Sequence, residues 1–316
     1  MSDRADSNGV EPASAAGIRF TDMSTVDTTH VAAIDPAAVG PAARKADVRV
    51  IAPRRGALGV DPGELWRYRE LLYFLVWRDL KSRYKQTVLG AGWAIIRPVM
   101  SMVVFSAVFG GLAKMPSDGV PYPIFVYAGL LPWTLFSGAV SLAGVSLITQ
   151  RGLLTKVYFP RVYIPASCIG VVLVDFLLGA GVYAAIMLYY GHLPGASLML
   201  APLLLAVLLL LAMGMGLLLA AVTVTYRDFQ SIIPFMMQTW MYLSPVVYPT
   251  ALVPERFRWL LLLNPMTGVI GAFRSCLLNH PIDWAALGVA SCGSVVIFGL
   301  GLVYFSRAER RFADIA

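Results

Sequence analysis

The residues that could carry out bond chemistry are few and scattered in this chain. Between Lys81 and Pro254 the only carboxylates and histidine are Asp118, Asp175, Asp228 and His192. Acid–base catalysis needs titratable groups that face one another, and metal sites need ligands at short, characteristic spacings. Neither pattern occurs, and no G-x-x-x-x-G-K-[ST] phosphate loop is present. We therefore expect no catalytic residue, bound metal or cofactor in this chain, and any ATP-driven work would need a separate ATPase.

Two charged residues stand inside apolar sequence and are candidates for binding. Arg97 lies in IIRPVM, where a guanidinium could bind a substrate phosphate or could instead reach the lipid interface with its long side chain. Asp175 lies in VVLVDFLLG, nearer the middle of an apolar segment. There it could pair with Arg97 or another cation, or form a hydrogen bond between helices. The sequence leaves both possibilities open for Arg97 and favours a structural pairing for Asp175.

Aromatic residues are numerous in the apolar segments. They include Trp93, Phe105, Phe109, Phe125, Tyr127, Trp133, Phe136, Phe235, Trp240, Tyr242 and Tyr248. In any membrane protein such rings concentrate at the lipid–water interfaces. Aromatic faces also stack on the apolar faces of sugars, so some of these rings could instead line a passage. Residue type alone favours the interfacial interpretation.

The composition places these residues in a membrane protein. Of 316 residues, 58% are hydrophobic and 14% are charged, whereas soluble domains have about 45–50% apolar and about 25% charged residues. The formal net charge is +7. Its Lys and Arg residues lie at the ends of apolar segments, which is typical of membrane topology and argues against a nucleic-acid partner.

Six apolar segments are long enough to cross a bilayer core of about 30 Å as helices, which takes roughly 20 residues each. They are residues 91–113, 122–148, 164–190, 198–223, 232–248 and 284–306. The predicted fold class is therefore an all-α integral membrane protein with six transmembrane helices. Residues 1–60 are rich in Ala, Asp, Ser, Gly and Pro, which predicts a disordered cytoplasmic extension ahead of a transmembrane domain at 61–316.

Basic residues occur mainly in the connections on one side of these segments. That side carries Arg78, Lys81, Arg83, Lys85, Arg151, Lys156, Arg161, Arg227, Arg307, Arg310 and Arg311, while the opposite short connections carry Lys114 and His192. The positive-inside rule then puts both termini in the cytoplasm. The outer connection at 249–283 does contain Arg256, Arg258 and Arg274, but long connections contribute weakly to topology.

Residues 65–86 predict an amphipathic helix before the first span. At about 100° per residue, one arc collects Leu65, Trp66, Leu72, Tyr73, Leu75, Val76, Trp77 and Leu80, and the opposite side collects Arg67, Glu70, Arg78, Lys81 and Lys85. Asp79 and Arg83 break the pattern, and Phe74 falls on the polar side. Such a helix would lie in the cytoplasmic interface with Arg78, Lys81 and Lys85 toward anionic head groups. A cytoplasmic helix packed on another subunit is the alternative.

The outer connection contains WLLLLNPMTGVIGAF, which is apolar but broken by Asn264-Pro265 and Gly268. It is too short to span, so it predicts a pair of re-entrant or interfacial half-helices. Irregular backbone at membrane depth is tolerated only where protein or a water-filled cavity supplies hydrogen bonds. The segment therefore points to the mouth of a pathway.

The cytoplasmic connection at 150–161, QRGLLTKVYFPR, is basic and apolar at once. Leu153, Leu154, Val157 and Tyr158 recur at helical spacing, which predicts a short helix that docks into the groove of a partner. Alternatively, the segment is an ordinary positive-inside loop lying on the membrane.

Several stretches in this order resemble the membrane subunit of ABC-2 type polysaccharide exporters, the O-antigen, capsular polysaccharide and teichoic acid export permeases. They are RDLKSRYKQTVLGAGWAIIRPV, KVYFPRVYIP, TYRDFQSIIPF, and WMYLSPVVYP followed by LNPMTGVIGAFR. The resemblance covers residue 65 to the C-terminus. The N-terminal sixty residues are longer than is usual in that family and have no assigned role.

The resemblance implies a homodimer of six-span permeases that binds two copies of a separate nucleotide-binding ATPase, which would hold ATP and Mg²⁺. The family's interface helix matches 65–86, its coupling helix matches 150–163, and its outer re-entrant helices match 251–279. ATPase coupling would then involve Arg151, Leu153, Leu154, Lys156, Val157 and Tyr158. In such exporters spans one and five form a channel at the dimer interface, which would place Trp93, Arg97, Phe105, Phe109, Met237, Trp240 and Tyr248 near the substrate path.

The function implied by the resemblance is ATP-driven export of a lipid-linked polysaccharide across the bacterial inner membrane. One alternative is export of another lipid or a drug by the same kind of machine. A stand-alone secondary transporter is a second alternative, but it predicts intramembrane ionisable relays or inverted repeats. A single Asp175 and no evident internal repeat do not fit it.

Overall fold

The computed structural model describes residues 62–85, 90, 92–154 and 159–315. Within these ranges the chain is helical and contains no β-strand, as predicted for an all-α membrane protein. The predicted disorder of residues 1–60 lies outside the described residues.

Eleven α-helices are described over these ranges. They are α1 Pro62–Arg67, α2 Arg69–Lys85, α3 Gly92–Phe105, α4 Tyr122–Thr149, α5 Arg151–Leu154, α6 Tyr163–Tyr189, α7 Ala201–Thr225, α8 Phe229–Leu243, α9 Glu255–Leu263, α10 Pro265–Leu278 and α11 Trp284–Ile315. A π-helical turn, Ser106–Leu112, extends α3. A 3₁₀ turn, Ala196–Leu200, leads into α7.

Five helical segments are long and apolar enough to cross a membrane, or six if the bent pair α9–α10 is counted as one span. The five are Gly92–Leu112, Tyr122–Thr149, Tyr163–Tyr189, Ala196–Thr225 and Trp284–Glu309. Each lies within three residues of a predicted span at both ends. The prediction succeeded here because a long apolar run is the strongest signal that a membrane sequence carries.

The predicted span at 232–248 differs from the structure. Helix α8 has 15 residues and ends at Leu243, so it is about 22 Å long. The chain turns after Ser244 because Pro245 cannot continue the hydrogen-bond ladder of a helix. Val246 and Val247 lie in this turn and are buried. In the sequence they extend the apolar run of α8, and this is why the predicted span was too long.

Helix α4 is the centre of the bundle. Most of its residues are buried against α6, α7, α10 and neighbouring helices. Small residues permit close approach, since a Cβ at Gly144 would lie 2.8 Å from Ile233 Cδ1 and one at Gly214 would lie 2.5 Å from Phe298 Cα. Glycine contacts of this kind are a common basis of helix packing in membranes, where apolar side chains gain little by leaving lipid.

In contrast to α4, the first span is not covered by other helices of the same chain. Helix α3 has no buried residue within the single chain, and Met100, Val103 and Val104 are exposed. An apolar face without cover in one chain must contact lipid or another protein. The structure therefore leaves α3 available to either.

The helix predicted at 65–86 is present as α1 and α2, but its faces are arranged differently from the prediction. Leu75 is 1% exposed and packs, with Leu71 and Leu72 nearby, on α4, α6 and α7. Val76 lies against Gly170 of α6. Tyr73 and Trp77, placed on the same apolar arc by the sequence, are exposed together with Phe74. One face of α2 thus packs on protein while the aromatic side chains point away from it.

A candidate substrate cavity and its connections

A cavity of about 370 Å³ lies between α2, the start of α3, and the middle parts of α4 and α6. Its polar lining includes Arg83, Tyr84, Arg97, Thr134 and Asp175, and its apolar lining includes Trp93, Leu131, Leu135, Val172 and Phe176. The lining therefore combines two guanidiniums and one carboxylate with several apolar side chains. This combination suits an amphiphile that carries an anionic group.

Asp175 is held by two residues of α2. Arg83 Nη1 lies 3.0 Å from Asp175 Oδ2, and Tyr84 Oη donates a short hydrogen bond to Asp175 Oδ1. Asp175 is the thirteenth residue of the 27-residue helix α6, so the end of α2 reaches the midpoint of this span. The prediction that Asp175 makes a structural pair is confirmed, with Arg83 as its cation.

Tyr84 remains a hydrogen-bond donor throughout the physiological pH range. Burial raises the pKa of Tyr84 to about 12, and its hydrogen bond to the Asp175 carboxylate adds to the shift. A protonated phenol can stabilise the carboxylate without carrying charge itself. Asp175 thus keeps one neutral donor in addition to Arg83.

Arg97 lines the same cavity from α3. Its guanidinium carbon lies 5.8 Å from the centroid of the Trp93 ring, within the range of a cation–π contact. Its nearest charged neighbours in the lining are Arg83 and Asp175. Among the described residues, no carboxylate lies within ion-pair distance of Arg97. This guanidinium is therefore able to bind an anion that enters the cavity.

The residues predicted to line a substrate path fall into four places. Trp93 and Arg97 meet at the cavity. Phe105 and Phe109 form a tilted pair with ring centroids 5.9 Å apart further along α3. Met237 is 5% exposed in the core, and Trp240 packs edge-on against Phe136 at 5.3 Å. Tyr248 lies beyond α8 and donates a weak hydrogen bond to Tyr242 O at 3.4 Å.

Asn264 joins α8 to the bend between α9 and α10, which is 99°. Trp240 Nε1 donates to Asn264 Oδ1 at 3.1 Å, and Asn264 Nδ2 donates to Ser244 Oγ at 2.8 Å. The same Oδ1 accepts from Met266 N at the start of α10, which is an N-cap interaction. The predicted pair of half-helices is therefore present as the bent pair α9–α10 and is hydrogen-bonded to the end of α8, while its re-entrant or interfacial position stays a prediction.

Arg274 of α10 makes a second connection to the same turn. Its Nη2 donates to Pro245 O at 3.1 Å and to Val246 O at 2.8 Å, and its side chain is 6% exposed. Tyr122 Oη of α4 donates to Val247 O at 2.6 Å. The carbonyls of Pro245, Val246 and Val247 in the turn after α8 thus find donors on α4 and α10, as buried carbonyls require.

The cytoplasmic segment predicted to couple to an ATPase begins as the short helix α5. Arg151 is exposed, and Leu153 is half-buried beside the second core cluster. The side chain of Leu154 and residues Lys156, Val157 and Tyr158 lie outside what the structure describes. The predicted docking role of these residues stays a prediction.

Gln150, at the end of α4, connects this segment to α2. Arg78 Nη2 donates to Gln150 Oε1 at 2.9 Å, and Gln150 Nε2 donates to Asp79 Oδ2 at 3.3 Å. Arg78 is also paired with Asp79 at 2.7 Å. The Arg78 guanidinium, predicted to face lipid head groups, is therefore directed toward the protein. Lys81 and Lys85, predicted for the same role, are exposed.

The sequence interpretation missed four of these residues or gave them another role. The sequence assigns Arg83 to the basic side of the topology and to a break in an apolar arc, and Arg274 to a weak topology signal. Gln150 and Asn264 were not singled out for any contact. The interruption itself was an available sign, because a charge that breaks an amphipathic pattern needs a partner.

Among the described residues, no group of three His, Cys, Asp or Glu side chains could hold a metal ion.

Comparison with known families adds a match over most of the bundle. The family described as ABC-2 type transporter matches residues 70–278. This range begins within α2 and ends with α10, so it includes the cavity, the Gln150 connection and the bent pair α9–α10.

Individual proteins are similar over almost their entire length. The chain is 32% identical over 256 residues to the O-antigen export system permease protein RfbA of Myxococcus xanthus, covering 79% of this chain and 97% of that protein. It is 25% identical over 247 residues to an RfbA protein of Klebsiella pneumoniae, covering 78% and 95%. It is 23% identical over 240 residues to the polysialic acid transport protein KpsM of Escherichia coli, covering 73% and 91%.

Proposed function

Because the chain belongs to the ABC-2 type transporter family, we propose that it is the permease of an exporter that moves a lipid-linked polysaccharide across a bacterial inner membrane. The cargo is of the O-antigen or capsule type. The protein is a multi-pass membrane transport subunit and not an enzyme, and the ATPase of such a transporter is a separate subunit. ATP and Mg²⁺ belong to that subunit.

The observation that carries the choice of cargo is the near-complete coverage of permeases named for glycan export. These matches extend over 97% of the Myxococcus protein and 91% of the Escherichia protein. The cavity supports a lipid-linked form of glycan, since its lining contains both Arg97 and Arg83 together with apolar side chains. An anionic lipid phosphate joined to a long apolar chain matches both parts.

We place the entry of the lipid phosphate at the cytoplasmic side. Lys81 and Lys85 are exposed on α2 and attract anionic head groups, and Arg97 is the first contact inside the cavity. Both termini are in the cytoplasm in this arrangement, in keeping with the distribution of basic residues.

The glycan then passes through a channel between two copies of the chain. The faces available for this channel belong to α3, which has no buried residue, and to α8, which buries only Ile233 and Met237. Exposed aromatic side chains such as Phe235 and Tyr242 lie on α8 and offer flat apolar surfaces to sugar rings. Arg97, Trp93, Phe105 and Phe109 line the α3 side, and Trp240 and Tyr248 contribute from α8 and the turn after it, whereas Met237 packs in the core.

Two ATPase subunits drive the cycle by pushing on residues 150–163. Arg151, Leu153, Leu154, Lys156, Val157 and Tyr158 form the docking surface. The test is co-purification with the cognate ATPase in lipid discs after substitution of Leu154 and Tyr158 by Ala. Loss of complex formation and of coupled ATP hydrolysis is expected, and their retention would contradict this docking site.

The cargo itself is tested in cells that lack the chain. A block in export leaves a lipid-linked glycan on the cytoplasmic side, where mass spectrometry identifies its lipid, its phosphate linkage and its sugars. Accumulation of such a glycan supports the proposal. Normal surface glycan in these cells, with accumulation of another lipid or a drug, would instead support an ABC-2 exporter of different cargo.

A further inference from the structure

We propose, building on the proposed function, that Arg83 is a second ligand of the lipid phosphate and that Asp175 occupies Arg83 until this phosphate arrives. The cavity would then bind the phosphate between Arg83 and Arg97, and Asp175 would give up its cation in exchange. Asp175 thus competes with the lipid phosphate for Arg83 inside the cavity.

Arg83, Arg97 and Asp175 line the same cavity. Arg83 and Arg97 both line the cavity, one from α2 and the other from α3. Asp175 lines it as well and lies 3.0 Å from Arg83 Nη1. A guanidinium binds a carboxylate and a phosphate with the same pair of N–H donors. The geometry that now holds the carboxylate of Asp175 is therefore suited to a phosphate oxygen.

The charges that line this cavity do not cancel one another. Among the described lining residues the charged groups are the two guanidiniums of Arg83 and Arg97 and the carboxylate of Asp175. Their sum is one positive charge, which attracts an entering phosphate. Because uncompensated charge at the middle of a span is costly, an anionic ligand is favoured over a neutral one in this site.

Asp175 can release Arg83 without losing all its partners. Tyr84 Oη donates to the other carboxylate oxygen, Oδ1, and this phenol stays protonated. A carboxylate stripped of every donor at this depth would cost several kcal/mol, so an exchange with no second donor would be unfavourable. Tyr84 provides this donor and thereby makes the exchange of partners feasible.

The rest of the lining fits the lipid chain. Leu131, Leu135, Val172 and Phe176 belong to the same lining as the charged groups, and Trp93 lies beside Arg97. A free inorganic phosphate would gain nothing from this surface. The ligand class is therefore a phosphate ester or diphosphate ester of a long-chain lipid.

The experiment measures binding of a long-chain polyprenyl phosphate to the complete permease–ATPase complex in lipid discs. Parallel titrations use the corresponding polyprenyl alcohol, inorganic phosphate and phosphatidylglycerol, which separate the lipid-linked phosphate from the other sources of the same group. The variants are Arg83→Gln, Asp175→Asn, their combination, and Arg97→Gln. The matched control is Arg307→Gln, which removes the same charge from an exposed position at the end of α11.

We expect Arg83→Gln to weaken polyprenyl phosphate binding by about tenfold, as for the loss of one charge-assisted contact. Asp175→Asn should instead tighten it by roughly threefold, because Arg83 no longer has a competing anion and the amide still accepts from Tyr84. The double variant should bind like Arg83→Gln, and Arg307→Gln like the unmodified complex. Size-exclusion profiles and basal ATP hydrolysis verify that each variant assembles.

Other outcomes separate this inference from the proposed function. If Asp175→Asn weakened binding as much as Arg83→Gln in assembled complexes, the pair would be a structural ion pair only and the inference would be overturned. If Arg97→Gln reduced binding and Arg83→Gln did not, the proposed export function would stand. Arg83 would then not be a ligand of the phosphate, and the inference would be overturned. If the complex did not distinguish polyprenyl phosphate from the alcohol, the proposed cargo would fail as well. Equal binding of phosphatidylglycerol would assign the cavity to ordinary membrane lipid and would also overturn the inference.

Discussion

The guanidinium of Arg274 lies over the ring of Phe125, with its central carbon 3.9 Å from the ring centroid. The same side chain donates to the carbonyls of Pro245 and Val246, so a residue of α10 connects the core helix α4 to the turn that ends α8. This buried cation thus connects α10, α4 and the turn after α8.

Replacing Arg274 by Gln should destabilise this region of the protein. The change removes two hydrogen bonds from a charged donor and leaves buried carbonyls without partners, a loss of roughly 3 kcal/mol. We expect the thermal midpoint of the detergent-solubilised protein to fall by about 5–10 °C. Arg256→Gln is the control, because Arg256 lies exposed on α9; an equal fall in both variants would contradict a special role for Arg274.

Asn264 and Trp240 should behave as a coupled pair in export. Trp240→Phe removes the indole N–H that Asn264 accepts, and Asn264→Ala removes that acceptor and the N-cap of α10. Since both variants break the same bond, the double variant should lose less export than the sum of the single losses. Export of glycan to the cell surface is the readout. Trp259→Phe, at an exposed position of α9, should have no effect, and strict additivity of the first two changes would argue against the connection.

Gly170 is expected to be intolerant of a methyl group although it lies within a helix. Its Cβ would lie 2.6 Å from Val76 Cγ2, so Gly170→Ala pushes α2 away from α6 at a cost of about 1–3 kcal/mol. Val76→Ala should restore stability in the double variant. Gly181 of the same helix has open space at this position, and Gly181→Ala should stabilise by roughly 0.5–1 kcal/mol. Thermal unfolding of the four variants is the measurement, and a stabilising Gly170→Ala would show that α2 does not pack there.

Gln150 should transmit cargo binding to the ATPase. It connects the helix that carries Arg83 to the start of the docking segment through Arg78 and Asp79. Gln150→Ala should therefore leave basal ATP hydrolysis intact and abolish most of its stimulation by polyprenyl phosphate. Thr149→Ala changes the neighbouring exposed residue and serves as the control. Full stimulation in the Gln150 variant would mean that the two segments communicate by another route.

The sequence was informative where one segment alone determines the outcome. Apolar length located five spans to within three residues, and the Asn264-Pro265 break correctly predicted a bent pair of helices. The end of α8 was misplaced because Val246 and Val247 continue the apolar run, although Pro245 and Pro249 on either side were the physical stop signals.

The sequence was least informative about contacts between distant segments. Arg83 and Asp175 are separated by α3, α4 and α5, and helical periodicity describes only one helix at a time. Asp175, a charge inside apolar sequence, indicated that a partner was needed. Which cation it pairs with depends on how α2 packs on α6, and this is not visible in the sequence. The role of Arg274 likewise depends on where α8 ends, which the sequence had placed five residues too late.

We propose that this chain forms the translocation path and that a separate ATPase drives it. The most direct measurement follows a fluorescent lipid-linked polysaccharide across the bilayer of vesicles that contain the purified chain, with and without its cognate ATPase and with and without ATP. We predict translocation only when the chain, the ATPase and ATP are all present, and none with an ATPase unable to hydrolyse ATP. Translocation by the chain alone, or transport that ignores ATP, would contradict the account.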